Sequence, residues 1–392
     1  MTLTFKKNNA TLLHFLFIIW FAAETMFSYS AISRFALLAF VGVSILVTRG
    51  KHWSYYLTAY LFVALWSVAN IAFGHAVNTG YATKMTQTLF LNLLFLYAFV
   101  CYCRYVQSVA SVLNIFRWLV AAFCVPCLLG GIGTVFSGQR LSIMGLNSNV
   151  IAIIAAYACI IFANDMFASR PGKQRRTKIY VIILLLTTIL LTGSRKGLII
   201  PAVGIYSLIC VRKPRKFVLY SLAIAAAATV VLFLIINVDV LYNVVGYRVE
   251  AILQYLAGEE YNEVSLASRS NFILLGWMSS QDSLFWGHGL DCFRTLRYSY
   301  GTYSHNNYIE ILYSLGWVGV VIYYMPYLYT FWPVSKQRKK SMNSVALSSA
   351  LLIPFIICDY MNVTYFTRTD LIIPLMAMLL RGEKRNETIE AD

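Results

Sequence analysis

The feature that most constrains this chain is a series of apolar stretches long enough to cross a bilayer, whose hydrocarbon core is about 30 Å thick. Eight stretches are long and occupy residues 11–31, 53–73, 86–103, 112–134, 149–168, 179–194, 217–238 and 308–332. Four shorter ones occupy residues 35–48, 197–211, 345–360 and about 369–380. Because a helix satisfies its own backbone hydrogen bonds in lipid, we predict an all-α, polytopic membrane protein with about twelve transmembrane helices.

The composition excludes a water-soluble globule. Of the 392 residues, 59% are hydrophobic and 12% are charged, whereas soluble domains contain about 45–50% apolar and about 25% charged residues. The first apolar run lacks a small-residue cleavage site, and we expect it to stay as a span rather than to be removed as a signal peptide. Seven of the eight cysteines lie in or beside apolar runs, a placement typical of small apolar side chains rather than of a metal or redox site.

The charge of the chain predicts its orientation. A formal net charge of +16 would indicate nucleic-acid binding in a soluble protein, but in a membrane protein the excess of Lys and Arg collects in cytoplasmic loops. With the N-terminus inside, 21 cations fall on the cytoplasmic side, ten fall on the outer side, and Arg117 lies within a span. We therefore expect both termini in the cytoplasm and no nucleic-acid partner.

One segment on the outer side is too long to be a simple connector. Residues 239–305 separate the ninth and tenth spans. Val249–Leu256 and Asn271–Met278 have apolar residues at helical spacing, whereas Gly287–Gly289 and Ser299–Ser304 resemble turns. We predict three regions: 1–238 with spans one to nine, 239–305 as a helical outer loop, and 306–392 with spans ten to twelve and a cytoplasmic tail.

Arg195 is the first candidate for an anion-binding residue. It lies in Leu191–Gly197, a break between two apolar runs that is short enough to require a tight helical hairpin. Gly193 and Gly197 allow the backbone to turn, and Ser194 with the exposed N–H groups can help to bind an anion. The alternative is a cation that extends its side chain to the membrane interface.

All four cations of the outer loop are arginines. A guanidinium group binds phosphate oxygens through two parallel hydrogen bonds, whereas lysine acts as a point charge. Arg269 is the strongest candidate of the four for anion binding, because it precedes an apolar helical stretch whose N-terminal amides would bind the same anion. The alternative is that these arginines form ordinary salt bridges with acids of the same loop. The arginines are Arg248, Arg269, Arg294 and Arg297, and the acids are Glu250, Glu259, Glu260, Glu263, Asp282 and Asp291.

His305 is the candidate general base. It opens the run Ser304–Glu310, directly before a long span, so its ring is expected at the outer edge of the membrane. A neutral imidazole there can accept the proton of an attacking hydroxyl, and Glu310 is a candidate to orient it. The alternative is an interfacial histidine bonded to backbone. His288, between two glycines, is expected to be a turn residue.

Several common catalytic motifs are absent from the sequence. There is no D-x-D clamp for a metal and sugar nucleotide, no phosphate-binding P-loop, no H-E-x-x-H and no G-x-S-x-G. Cys124 and Cys127 have the C-x-x-C spacing but lie within an apolar run. We therefore expect either a reaction without a metal or other cofactor, or no reaction.

The chain resembles the O-antigen ligase and polymerase superfamily, which are membrane glycosyltransferases that use undecaprenyl-diphosphate-linked glycans. The resemblance covers roughly residues 140–330 and rests on the order and spacing of short motifs. These are Arg140 with Gly145-x-Asn-x-Asn149, Gly193-Ser-Arg-Lys-Gly197, Ser268-Arg269 with Trp277, Gly287-His-Gly289, and His305-Asn-Asn-Tyr-Ile-Glu310 followed by Gly316-Trp-Val-Gly319.

The resemblance implies a bacterial inner-membrane enzyme whose active site faces the periplasm. It assigns diphosphate binding to Arg195 and Arg269, a lesser supporting role to Arg140, catalysis to His305, and supporting positions to Asn306 and Glu310. The implied partners are a lipid-linked glycan donor, a glycan acceptor, membrane lipids and a chain-length regulator. The acceptor hydroxyl would attack opposite the leaving diphosphate and invert the anomeric centre.

The superfamily includes two activities that fit the sequence, polymerase and ligase, and a transporter is the alternative from another class. A polymerase extends a lipid-linked chain, whereas a ligase transfers the finished chain to the lipid A core. Ligases are expected to have a second histidine two residues before the motif histidine, where this chain has Tyr303, so the sequence favours a polymerase. A polytopic transporter would also suit the spans, but the two halves show no internal similarity or paired broken helices.

Overall fold

The computed structural model describes residues 2–28, 30–142, 146–169, 172–258, 264–331 and 342–382, in which helices are the regular structure. Motif residue Gly145, the acids Glu259, Glu260 and Glu263, and the predicted tail 383–392 lie outside these ranges. Fifteen α-helices are described: α1 Thr2–Met26, α2 Ala31–Thr48, α3 Tyr55–Ala72, α4 Thr79–Tyr105, α5 Val109–Phe136, α6 Ser148–Ala168, α7 Lys173–Leu191, α8 Arg195–Arg212, α9 Phe217–Asn237, α10 Asp239–Leu241, α11 Tyr247–Ala257, α12 Val264–Ser280, α13 Asn307–Phe331, α14 Met342–Cys358 and α15 Arg368–Gly382.

Each of the twelve predicted apolar stretches coincides with one of these helices. Among the described residues, eight helical segments are long and apolar enough to cross a membrane: Asn8–Met26, Ala31–Thr48, Tyr55–Ala72, Thr79–Tyr105, Val109–Phe136, Ser148–Ala168, Pro214–Asn237 and Asn307–Phe331. Helix α7 begins with several cations, α8 has cations at both ends, and α14 and α15 contain only 17 and 15 residues. The protein is thus a polytopic helical membrane protein, and the count of twelve spans stays a prediction.

Short polar side chains determine where many of these helices begin. Ser30, Ser54 and Asn78 accept a hydrogen bond from the first-turn amides of α2, α3 and α4. Asn147 and Ser194 do the same for α6 and α8. Such caps satisfy backbone donors that have no partner within the helix.

The chain divides into two compact units. The first contains Met1–Val109, Val264–Trp332 and Ile356–Leu375. Its helices α1, α2 and α4 share a core of aromatic side chains in which Trp20 packs against Phe40 and Phe95, with ring centroids 6.0 Å and 4.4 Å apart. Helix α12 packs on α13, where Gly276 lies against Ile309 and Phe293 without room for a side chain.

The second unit contains Ala110–Glu263, Pro333–Phe355 and Met376–Asp392. The largely buried helix α6 packs against α7 and α8. Gly204 of α8 approaches α14 so closely that an added Cβ would lie 2.9 Å from the carbonyl oxygen of Ala350. In the same unit, Ser348 of α14 donates a hydrogen bond to the carbonyl oxygen of Ala377 in α15 at 2.7 Å.

Helix α13 is interrupted at Gly316, which has a φ of 66°, although the sequence predicts one continuous span. The loop before it satisfies the backbone groups that the break exposes. The amides of His288 and Gly289 donate to the carbonyl oxygens of Tyr313 and Ser314 at 2.8 Å and 2.9 Å, and Trp317 N donates to Leu284 O at 2.8 Å. Two of the sequence motifs, Gly287–Gly289 and Gly316–Gly319, therefore pack against each other, as buried irregular backbone in a membrane protein requires.

Candidate active site

The predicted site residues form two groups, one in each compact unit. His305, Arg269, Asn306 and Glu310 belong to the first unit, and Arg195 and Arg140 belong to the second.

His305 has a left-handed backbone conformation with a φ of 57°. Residues other than glycine rarely adopt this conformation, and those that do often lie at functional sites. Its half-buried ring stacks on the ring of Phe272 in α12, with centroids 6.2 Å apart and an angle of 13° between the planes. The centroid of the Tyr303 ring lies 4.4 Å from that of His305. The ring is thus placed by two aromatic neighbours at the beginning of α13.

A set of buried hydrogen bonds holds the backbone on both sides of His305. Glu310, which is 1% exposed, accepts a hydrogen bond from the backbone amide of Ser304 at 2.8 Å. The Ser304 hydroxyl donates to the carbonyl oxygen of Asn306 at 2.8 Å, and Asn306 Oδ1 accepts from Ile309 N at 3.1 Å. Glu310 therefore binds the backbone amide of Ser304, the residue before His305, and Asn306 caps α13.

Asn307 anchors this turn to residues 359–365. Its Nδ2 donates to Asp359 Oδ2 at 3.0 Å and to the Tyr324 hydroxyl at 2.9 Å. Its Oδ1 accepts from the amides of Thr364 and Tyr365 at 3.0 Å and 3.3 Å. Since Asn307 is fully buried, these bonds replace all of its contacts with water, and sequence analysis did not identify this role.

Arg269 lies inside α12 rather than at its beginning. The helix begins at Val264, so the sequence prediction that Arg269 shares an anion with the helix N-terminal amides is wrong. Arg269 precedes Phe272 by three residues, and side chains at this spacing lie on the same helix face. The half-buried Arg269 therefore lies on the face of α12 that carries the aromatic partner of His305.

The other arginines of residues 264–305 have structural neighbours. Arg294 forms an ion pair with Asp291 at 2.6 Å, as the salt-bridge alternative predicts. Burial raises the pKa of the Asp291 carboxyl above its ordinary value, and the Arg294 guanidinium partly offsets this rise. Arg297 is exposed and lies over the ring of Tyr298, 5.5 Å from its centroid.

In the second unit, Arg195 is the first residue of α8 in a tight hairpin, as predicted. Helix α7 ends at Leu191, and Gly193 turns the chain with a φ of 59°. An added Cβ on Gly193 would lie 2.5 Å from the carbonyl oxygen of Val244, so only glycine fits. Ser194 caps α8, which directs the positive end of the helix dipole and the half-buried Arg195 to the same place.

Arg140 is bonded directly to this hairpin. Its Nε donates to the carbonyl oxygen of Thr192 at 2.6 Å, and its Nη2 donates to Asn149 Oδ1 at 2.9 Å. The Ser194 hydroxyl donates to the same Asn149 oxygen at 3.0 Å. The described part of the first motif, Arg140 and Asn149, thus supports the Gly193–Gly197 motif.

Arg248 also reaches the hairpin, although the sequence alone gave it less weight than Arg269. Its Nη1 lies 3.5 Å from the carbonyl oxygen of Gly193, and its Nε donates to the Tyr247 hydroxyl at 2.7 Å. The distance of 55 residues between Gly193 and Arg248 explains why no local sequence signal reveals this proximity. Arg140, Arg195 and Arg248 make the hairpin strongly cationic.

Among the described residues, no group of three or more His, Cys, Asp and Glu side chains is arranged to hold a metal ion. The chemically active groups of the two clusters are instead guanidinium, imidazole and carboxamide groups.

Comparison with known proteins matches part of the chain to one family. No curated protein sequence matches the chain. The model of the family described as O-antigen ligase matches residues 180–324, a range that includes Arg195, Arg269, His305 and Glu310 but not Arg140. This match over residues 180–324 supports the resemblance to the O-antigen ligase and polymerase superfamily.

Proposed function

We propose that this protein is an inner-membrane glycosyltransferase that transfers a glycan from undecaprenyl diphosphate to an acceptor hydroxyl at the periplasmic face. The family match and the helical spans support a membrane enzyme of the O-antigen ligase and polymerase type. The observation that carries the proposal is the placement of His305 in a left-handed turn, stacked on the helix that contains Arg269.

His305 acts as the general base in this proposal. The acceptor oxygen forms a bond to the anomeric carbon while the bond from that carbon to the diphosphate oxygen breaks. A neutral imidazole nitrogen takes the hydroxyl proton, and attack from the side opposite the leaving group inverts the anomeric centre. Because Phe272 and Tyr303 hold the ring in place, little reorientation is needed before proton transfer.

Arg195 and Arg269 bind the diphosphate in this proposal. Negative charge grows on the leaving diphosphate as the anomeric bond breaks, and guanidinium groups that are already in place stabilise it. Arg140 holds the Arg195 hairpin through Thr192 and Asn149. The proposed reaction needs no metal ion, since the arginines supply the positive charge.

We further propose that the acceptor is another lipid-linked repeat unit, which makes the enzyme an O-antigen polymerase. Tyr303 occupies the position at which a ligase is expected to have a second histidine, and its ring contacts His305 at 4.4 Å. The alternative is a ligase, which would use the same donor chemistry but transfer the finished glycan to the lipid A core.

Purified protein in lipid vesicles with a lipid-linked repeat unit tests this function. We expect wild-type protein to form longer glycans, and His305→Ala and Arg269→Ala to reduce the rate by at least about 100-fold, within the usual contribution of a general base. Arg297→Ala is the matched control, because it removes an exposed arginine from the same segment, and its rate should equal that of wild type. Near-normal transfer by His305→Ala would contradict the assignment.

A further inference from the structure

The first unit contains a cavity of about 290 Å³ that none of the proposed catalytic residues lines. Its walls come from four parts of the unit: Glu24 of α1, Ser33 and Arg34 of α2, Thr88 of α4, and residues 366–368. The volume is close to the lower end of the range for small-molecule sites, about 300–1,000 Å³. The cavity is therefore large enough for a small ligand but not for a long chain.

The cavity wall combines an acid with two cations. The Glu24 carboxylate accepts hydrogen bonds from the Ser33 hydroxyl and from Arg368 Nη1, the latter at 3.3 Å. Arg368 Nε is buried, and no described residue accepts its hydrogen. Arg34 is exposed. The wall thus offers carboxylate acceptors, guanidinium donors and the hydroxyls of Thr88 and Thr367 within a small space.

The position of the cavity relates it to the catalytic turn. Asn307, two residues after His305, holds the amides of Thr364 and Tyr365, and residues 366–368 follow directly. Asn92 and Tyr60 fix the same segment by donating to the carbonyl oxygens of Phe366 and Tyr365, each at 2.7 Å. Because three residues extend at most about 11 Å, the cavity wall lies close to the residues that Asn307 anchors.

We propose that this cavity binds one sugar unit of the glycan substrate, an inference that rests on the proposed function. Sugar hydroxyls both donate and accept hydrogen bonds, so they match a wall that has a carboxylate beside guanidinium and hydroxyl groups. A diphosphate offers only acceptors and would be repelled by Glu24. The site selects a neutral sugar or one with a single negative charge, because Glu24, Arg34 and Arg368 together have one net positive charge.

Binding of a lipid-free oligosaccharide repeat unit to the full protein in nanodiscs tests the cavity directly. Arg34→Ala removes a cation from the wall, and Thr88→Trp fills the space. Both positions are at least partly exposed, so the substitutions should not disturb folding. We expect each to weaken oligosaccharide binding at least about tenfold, which corresponds to about 1.4 kcal/mol, and to raise the KM for acceptor while kcat changes little.

Two controls separate this proposal from the proposed function. Lys84→Ala removes a cation from α4 outside the cavity wall and should bind as wild type does, and His305→Ala should bind normally without transfer. Equal oligosaccharide binding by wild type and both cavity variants, or no binding by wild type, would overturn the proposal. Pyrophosphate binding by wild type that disappears in both cavity variants would also overturn the proposal, because the cavity would then bind an anion rather than a sugar. Oligosaccharide binding that depends on the cavity, without transfer by wild type, would support the cavity and contradict the proposed function.

Discussion

At the scale of single residues, the proposed chemistry depends on how the imidazole of His305 and the guanidinium of Arg195 are held. His305 combines a left-handed backbone with buried hydrogen bonds on both sides, from Ser304 N to the Glu310 carboxylate and from Ile309 N to Asn306 Oδ1. Such a conformation costs about 1–3 kcal/mol and persists only where its surroundings enforce it. The neighbouring residues of the motif therefore have a physical purpose, which is to hold the imidazole in one place.

Arg195→Lys tests whether the planar guanidinium matters beyond its charge. Lysine keeps the positive charge but loses the two parallel donors. The loss of one hydrogen bond to a charged group, about 1.5–3 kcal/mol, should raise the apparent Kd for the lipid-linked donor about 10- to 150-fold. Arg215→Lys, at an exposed position in the turn before α9, is the matched control. Unchanged donor affinity in Arg195→Lys would refute bidentate binding.

The sequence suggests which residues are candidates for the site, whereas their surroundings depend on the tertiary structure. Residue type and motif spacing point to Arg195, Arg269 and His305, because guanidinium and imidazole groups have recognisable chemistry. The left-handed φ of His305, the bond between Glu310 and Ser304 N, and the approach of Arg248 to Gly193 depend on tertiary packing. No pattern within a short stretch of sequence contains that information.

At the scale of elements, the beginning of α13 is the best-anchored part of the site. Asn307 joins the helix to Asp359, Thr364 and Tyr365 through buried hydrogen bonds, and it also donates to Tyr324 of the same helix. The carbonyl groups exposed at the Gly316 break are satisfied by His288 and Gly289. The first half of α13 is therefore held at both ends, and it directly follows the turn that contains His305.

Asn307→Ala should loosen this anchor. It leaves the buried amide of Thr364 and the carboxylate of Asp359 without one partner each, at a cost of about 1–3 kcal/mol per unsatisfied group. We expect a lower melting temperature in detergent together with reduced transfer. Asn237→Ala, at an exposed position where the side chain bonds only within α9, should change stability by no more than about 0.5 kcal/mol. A melting temperature of Asn307→Ala equal to that of wild type would show that the network does not anchor α13.

The length of the apolar runs predicted the positions of the helices well. The local sequence did not predict features that long-range contacts determine, such as the break at Gly316. Every predicted span lies on a helix because the apolar run itself favours a helix in lipid. The break at Gly316 was missed because apolar residues flank it on both sides, and the loop that stabilises it begins about 30 residues earlier. Helix α12 begins at Val264, earlier than the predicted Asn271. Polar residues such as Ser268 and Ser270 interrupt the apolar spacing from which the helix is predicted.

At the scale of the whole molecule, the central claim is that the protein transfers lipid-linked glycan at the outer face of the membrane. The excess of cations on the side assigned to the cytoplasm predicts that orientation, and the remaining outer cations include Arg140, Arg195 and Arg269. On this prediction, the net charge of +16 reflects membrane orientation more than substrate binding.

Deletion of the protein, followed by gel analysis of surface glycan, tests this claim most directly. We predict that the long glycan ladder is lost and that single repeat units remain on the lipid core, as expected for a missing polymerase. Re-expression of wild type should restore the ladder, and His305→Ala should not. Bare core with accumulated lipid-linked chains would instead identify a ligase. An unchanged glycan ladder in the deletion strain would contradict the account.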